Sequence, residues 1–298
     1  DMPASFLLSL LAGLLAAPPQ DNTISLYLTV EEGDRLVGGL TEKNFRLYED
    51  GRPVAFRLEA PESPTLVTLL VEHSRSSWFY QNDIDAAVEA FLSAAPEGPW
   101  YSLVTFSHGN EVVKDFTRQI GELRAAYAEL GAPMWQDIDT YDAVYETLEK
   151  LELLRGRRVL IFIGSGFDTL SARTLGDVEK KIESVNVTVF AAGAGSSLRG
   201  MYEPYLGTTA RLDLTQAEAF LNMLARKSGG QAWFPKFETA YRDIARTVFL
   251  MLENQYRLVY ETSLPRDRKF HRLRVEAFQI TDDKRKDFRV RVREGWRR

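Results

Sequence analysis

The stretch TLVTLLVEHSRSS, Thr65–Ser77, decides how the rest of the chain is read. An apolar run rich in β-branched residues ends in an acid followed by three serines. A run with no polar alternation fits a strand buried on both faces, as in a parallel sheet covered by helices. Ligands of open α/β sheets bind just beyond the carboxyl ends of the strands. Glu72, Ser74 and Ser76 therefore stand where a site is expected.

Downstream of this strand the pattern alternates. Ile84, Val88 and Phe91 recur at helical spacing within Asp83–Leu92. Trp100–Phe106 and Glu111–Phe116 read as strands. Ser107-His108-Gly109-Asn110 between them is too short for a crossover, so they are expected to pair antiparallel. Helical periodicity follows at Ile120–Leu130 and Tyr141–Leu154, then a buried strand at Val159–Ile163, a helix at Thr174–Ser184 and a strand at Val185–Ala191. After a long loop come a helix at Thr215–Lys227, stopped by Gly229-Gly230, a short strand at Gln231–Phe234 and a helix at Thr239–Glu253. The expected fold class is α/β, a doubly wound and mostly parallel sheet with one antiparallel edge strand.

Both flanks are strands. Ile24–Val30 alternates apolar and polar residues. Phe45–Glu49 and Val54–Leu58 flank Asp50-Gly51, where glycine supplies the positive φ of a tight hairpin. Pro61 and Pro64 break the chain and mark a boundary. After Gln255 come Tyr256–Thr262, His271–Phe278 and Phe288–Arg293. The early strands cannot bury a face alone, so a small β unit built from both termini is expected. The division is an apolar segment over residues 1–20, N-terminal strands over 21–62, the α/β domain over 63–255, and C-terminal strands over 256–298 that pack with the N-terminal ones.

Composition narrows the function. The 298 residues are 45% apolar, an ordinary globular fraction, and carry a formal charge of −5, which exerts no overall pull toward nucleic acid. Lys284–Lys286 and Arg289–Arg298 are densely basic, but Phe288, Val290 and Val292 alternate through this segment, which reads as a strand with a solvated arginine face. The absence of cysteine removes disulfides, cysteine-ligated zinc and thiol catalysis. Phe6–Ala17, FLLSLLAGLLAA, is shorter than the roughly 20 residues of a membrane-spanning helix. It matches the core of a secretion signal, although no Lys or Arg precedes it and Pro18 lies just past the expected cleavage point. Export to a periplasmic, secreted or cell-surface location is expected. Membrane contact is expected only through this segment.

The order of elements, with acid-x-Ser-x-Ser after the first sheet strand, resembles a von Willebrand factor type A domain. Leu36–Phe56 (LVGGLTEKNFRLYEDGRPVAF), Thr140–Leu148 (TYDAVYETL), Asn254–Glu261 (NQYRLVYE) and Val290–Trp296 (VRVREGW) look like landmarks of the related domain of exported acidobacterial proteins. The resemblance implies the fold and a binding role without naming a ligand. It also implies a site in which serine and threonine hydroxyls bind Mg²⁺ directly. Two aspartates hold the ion mostly through water, and a partner's carboxylate completes the octahedron.

Against that pattern Ser74 and Ser76 match. Glu72 replaces the first aspartate and is one methylene longer. Arg75 adds a positive charge between the serines. The family's threonine lies three residues before its Tyr-Asp-Ala, which from Tyr141-Asp142-Ala143 gives Ile138; Thr140 serves only if the loop slips by two residues. The second aspartate, after the fourth strand, is replaced by Ser165 in Gly164-Ser165-Gly166. Asp168 matches a loop residue rather than a ligand. Mg²⁺ demands hard oxygen ligands in near-ideal geometry, so a degenerate site with no metal or other cofactor is expected, with Mg²⁺ as the alternative. Glu72 is then left to pair with Arg75 or to accept backbone N–H bonds.

Other signals are weaker. His73, Ser74, Ser165 and Asp168 fall on one rim and suggest a serine hydrolase, but Ile163–Phe167 lacks the glycine spacing of a nucleophile elbow. Gly193-Ala194-Gly195-Ser196-Ser197 follows a strand as a phosphate loop does, without the Walker lysine or the dinucleotide spacing. Trp78, Phe79, Tyr80, Trp135, Met201, Tyr202 and Tyr205 bring aromatic and sulfur-containing side chains to the same rim. Of these, Phe79 is expected to cap the core, and Trp78, Trp135, Tyr202 and Tyr205 to bind a partner. The expected function is a non-catalytic protein-binding or scaffold module acting through the strand-end rim without metal. The alternatives are a Mg²⁺-dependent adhesion domain and a serine hydrolase-like enzyme.

Overall fold

The computed structural model describes residues 22–196, 207–265 and 267–298. The signal-like segment and Met201, Tyr202 and Tyr205 lie outside the described residues. The first elements are β1 (Thr23–Glu32), β2 (Arg35–Leu36), β3 (Phe45–Glu49), β4 (Arg52–Val54) and β5 (Arg57–Glu59). Then come β6 (Thr65–Glu72), α1 (Gln81–Ala94), β7 (Trp100–Ser107), β8 (Gly109–Thr117), α2 (Ile120–Ala128), α3 (Thr140–Glu152) and β9 (Arg157–Gly164). Next are α4 (Leu175–Ser184), β10 (Val187–Gly193), α5 (Thr208–Ser228), β11 (Ala232–Trp233) and α6 (Ala240–Glu253). The last strands are β12 (Tyr256–Glu261), β13 (Phe270–Thr281), β14 (Lys284–Val292) and β15 (Gly295–Arg297).

The six-stranded sheet has the order β11-β10-β9-β6-β7-β8. All its pairings are parallel except β7 with β8, as the short connection requires. β6 lies in the middle, between β7 and β9. Its Val67, Leu69 and Val71 pack with Ile84 and Val88 of α1 and Val248 of α6. Leu66 and Leu70 pack on the other face with Val144 and Leu148 of α3 and Val178 of α4. Helices on both faces explain why this strand has no polar alternation. Helix α5 begins at Thr208, well before the periodic stretch, because its buried side chains begin only at Ala217. Its first turns carry no core-facing stripe from which a helix is legible.

The second sheet has the order β4-β3-β13-β14-β1-β12-β5, with β2 on β1 and β15 on β13. Asp50 and Gly51 both have positive φ and close the β3–β4 hairpin. Val54–Leu58, expected as one strand, is two: β4 pairs with β3, whereas β5 crosses to the opposite edge and pairs with β12. Strand β15 also carries structure that periodicity misses. Trp296 is buried among Leu26, Leu28, Phe45 and Leu258. Its indole N–H reaches Glu49 Oε1 at 2.9 Å, and the same buried carboxylate accepts from the hydroxyls of Tyr260 and Thr262 at 2.6 and 2.8 Å.

Buried polar groups join the two sheets. Arg157, at the start of β9, donates to the Leu252 carbonyl at 2.7 Å and to Gln255 Oε1 at 2.5 Å. Its guanidinium stacks 5.2 Å from the Tyr27 ring of β1, and burial lowers its pKa to about 10. Glu183 of α4 accepts from Lys227 at 2.7 Å and Arg297 at 2.9 Å, while Arg293 donates to its main-chain carbonyl at 2.6 Å. No described helix is long and apolar enough to cross a membrane.

Candidate functional site

The rim is built by the segments that leave the carboxyl ends of β6, β7 and β9. After β6 the chain enters a 3-10 helix, Arg75–Tyr80, capped by Ser74, whose Oγ accepts the Ser77 amide at 3.2 Å. Glu72, fully buried, turns its carboxylate across the sheet toward β9. Oε2 accepts from the backbone N–H and the hydroxyl of Ser165 at 2.7 and 2.6 Å. Oε1 accepts from the Tyr80 hydroxyl at 2.6 Å and from Ser74 Oγ at 3.3 Å. Burial and then the adjacent carboxylate charge raise the Tyr80 phenol far above its usual range. Glycine at position 164 makes the reach possible, since a Cβ there would lie 2.8 Å from Glu72 Cβ and 2.9 Å from Oε2. Of the two roles expected for Glu72, it takes the backbone one and adds three hydroxyl donors; it does not pair with Arg75.

The remaining site positions are also turned inward. Ser76 Oγ donates to the Gln136 carbonyl at 2.8 Å, and the Arg75 amide donates to the Trp135 carbonyl at 2.7 Å. Ile138 is buried, and its amide and carbonyl both bond to Thr169, at 2.8 Å to Oγ1 and 2.7 Å from the amide. The Thr140 hydroxyl donates to the Phe167 carbonyl. Asp168 accepts the Tyr141 amide at 3.0 Å and the Ser171 hydroxyl. Mg²⁺ needs about six oxygens at roughly 2.0–2.1 Å. This set has one carboxylate already bonded by four donors, a hydrocarbon at the threonine position, and hydroxyls that donate to protein acceptors. It does not fit that ion.

The rival chemistries are not assembled either. His73 Nε2 lies 3.1 Å from the Gly131 carbonyl, and Ser74 and Ser165 both donate to Glu72. No serine–histidine hydrogen bond forms among the described residues. In the Gly193–Ser197 loop the Gly195 amide, which a phosphate would need, donates to Asp83 Oδ2 at 2.9 Å.

The outer surface of the rim carries exposed aromatic side chains. Trp78 is 70% exposed and Trp135 51%. The Trp78 ring lies 4.8 Å from that of Phe79, and the Trp135 ring 5.2 Å from that of His108. Phe79 is 68% exposed, which corrects its expected place in the core. Tyr80 takes the inward position instead, because the 3-10 turn points it at Glu72.

Sequence reasoning missed Tyr80 as a partner of Glu72, Thr169 as the clip on Ile138, and Asp139. Asp139 is buried beside the β7–β8 turn, where Oδ2 accepts the Gly109 amide at 2.6 Å and Oδ1 has no partner among the described residues. Desolvation raises its pKa. An acid that titrates higher when folded favours the fold while protonated, and that contribution is lost as the pH rises through the folded value. Asp139→Asn keeps an acceptor for Gly109 and never ionises. It is expected to raise the thermal midpoint at about pH 7, with the gain vanishing as the pH falls toward about 4. Paired melts of the two proteins across that range test it.

No family model and no curated protein matches this chain. Solved structures do. An aerotolerance-related membrane protein from Bacteroides fragilis is 11% identical over 64% of this chain and 99% of its own, with a TM-score of 0.49. BatB from Bacteroides thetaiotaomicron is 12% identical over 64% and 100%, with a TM-score of 0.46. A von Willebrand factor type A protein from Catenulispora acidiphila is 10% identical over 94% and 76%, with a TM-score of 0.46. All three TM-scores lie below 0.5, and these likenesses say nothing of what the chain binds.

Proposed function

We propose that this chain is a non-catalytic binding module of von Willebrand factor type A fold, which recognises a protein partner through its strand-end rim with no bound ion. The observation that carries this reading is the Glu72 carboxylate, which takes up the Ser74 and Ser165 hydroxyls at the position where the family's ion would be held. Recognition then falls to the exposed apolar side chains around it, with Trp78 and Trp135 foremost. Tyr202 and Tyr205 are proposed to contact the partner as well. A few residues carry most of the binding energy at protein interfaces, and Trp and Tyr are enriched among them. The His73 ring is engaged with the Gly131 carbonyl and both serines with Glu72, which supports a non-catalytic reading. The apolar run Phe6–Ala17 supports export.

Two measurements test this. Calorimetric titration of Mg²⁺ or Mn²⁺ into EDTA-treated protein is expected to give no binding heat. Micromolar binding that is lost in Ser74→Ala would replace this reading with a metal-dependent one. Trp78→Ala is expected to weaken any captured partner by about 2 kcal/mol or more while leaving the thermal midpoint unchanged, and unaltered capture would count against the rim.

A further inference from the structure

A groove runs along the side of the six-stranded sheet, away from the rim. Its one wall is β11, the edge strand, which pairs with β10. Its other wall is the 289–292 stretch of β14, which pairs with β1, whereas the β13 ladder along β14 ends at Phe288. The groove has a volume of about 510 Å³ and is lined by Arg226 of α5, Gln231 and Ala232 at β11, and Arg289, Val290 and Arg291 of β14. That volume falls in the range of roughly 300–1,000 Å³ common to ligand pockets.

Both walls present open main chain. The Gln231 carbonyl accepts the Ala191 amide at 3.0 Å, so the N–H and C=O of Ala232, next along the strand, turn away from β10. Strand β1 carries β2 on one edge and β14 on the other, since Glu31 is paired with Leu36 and with Arg289. The Val30 carbonyl accepts the Val37 amide at 2.8 Å on the β2 side. Val30 and its partner Val290 are therefore a non-hydrogen-bonded pair, and the main-chain groups of Val290 turn away from β1. In the same groove Gln231 Oε1 is buried with no hydrogen-bond partner among the described residues.

The lining is also basic. Arg226 pairs with Glu294, Arg291 with Glu31 at 2.6 Å, and Arg289 with the same Glu31 at 3.8 Å. Three guanidinium groups thus share two carboxylates, in a chain whose net charge is −5. The Arg289 side chain, 67% exposed, holds its acid most loosely. A sulfate ion would answer the arginines but has no N–H for Gln231. An extended peptide answers every feature: its main chain offers donors and acceptors to the two open edges and to Gln231, and a carboxylate side chain meets a guanidinium with two parallel hydrogen bonds.

We infer that this groove takes an extended acidic segment of a partner protein, which adds as a strand beside β11 and sets a carboxylate on Arg289. It is a second contact surface, and it does not depend on the rim.

A random linear peptide library displayed on phage, panned against the full chain, tests this, with the enriched peptides synthesised and titrated by calorimetry. Peptides rich in Asp or Glu are expected. Their affinity is expected to fall about tenfold in Arg289→Ala and on replacing the peptide's acid by its amide. Methylating alternate main-chain N–H groups of the peptide is expected to cost about tenfold or more. Trp78→Ala is expected to leave the affinity unchanged, and Arg289→Ala, an exposed change, to melt with the wild type. Peptides that need Arg289 but tolerate methylation at every position would overturn strand addition. Peptides indifferent to Arg289→Ala, or enrichment of none, would overturn the groove as a peptide site. Inorganic phosphate that binds the wild type but not Arg289→Ala, with no acidic peptide enriched, would replace the inference with a simple anion site.

Discussion

Replacing Glu72 with alanine is expected to lower the free energy of unfolding by about 3–5 kcal/mol. The carboxylate is fully buried and accepts from the Ser165 amide, the Ser165 and Ser74 hydroxyls and the Tyr80 hydroxyl. Alanine leaves those donors without an acceptor where water has little access, and a buried unsatisfied donor costs roughly 1–3 kcal/mol. The lost side-chain volume adds a cavity term. Glu72→Asp, the residue found in intact members of the family it resembles, is expected to be destabilising here as well, because one methylene fewer cannot span from β6 to Ser165. Glu72→Gln keeps the length, and its amide oxygen can still accept the Ser165 N–H while its NH₂ donates to the Tyr80 and Ser74 hydroxyls, so it is expected to cost the least of the three. Urea denaturation of the three variants checks the order. A cost below about 1 kcal/mol for alanine would mean that the carboxylate is not the centre of the cluster.

Replacing Gly230 with alanine is expected to cost at least about 3 kcal/mol. A Cβ at this position would lie 1.9 Å from the carbonyl oxygen of Val189, in a strand interior to the sheet. The clash is with backbone, so no side-chain rotation relieves it. Gly229 has a φ of +83° and a Cβ there would lie 2.7 Å from the Arg293 nitrogen. Alanine at 229 is expected to cost about 2 kcal/mol, from the left-handed conformation together with the contact. Gly121 is a suitable control. It lies in α2 with nothing within 4 Å of a built Cβ, and alanine there is expected to stabilise by about 0.5–1 kcal/mol. Denaturant midpoints of the three variants provide the check.

The two glycines illustrate how much of the fold was legible. Read as sequence they end a helix, and they do, since the amides of both Gly229 and Gly230 return to the Ala225 carbonyl. That they also let the helix end approach β10 and β14 was not readable, because it depends on which strands lie beneath. The candidate site divides similarly. Glu72, Ser74 and Ser76 were placed by the end of the apolar run, and Ser165 by the family resemblance. Tyr80 and Phe79 exchanged their expected roles, because a 3-10 helix advances side chains by a different angle from an α-helix.

The amino-acid sequence by itself determined the layers of this protein. An apolar run without alternation requires helices on both faces of β6, a short connection requires an antiparallel edge, and Asp50-Gly51 requires a tight turn. These are local constraints, carried by side-chain period, loop length and permitted φ. Only the tertiary structure decided that Glu72 meets Ser165, 93 residues away, and that Trp296 fills the second core. Each of those outcomes depends on which strands are neighbours, and adjacency in a sheet is set by the packing of the whole chain.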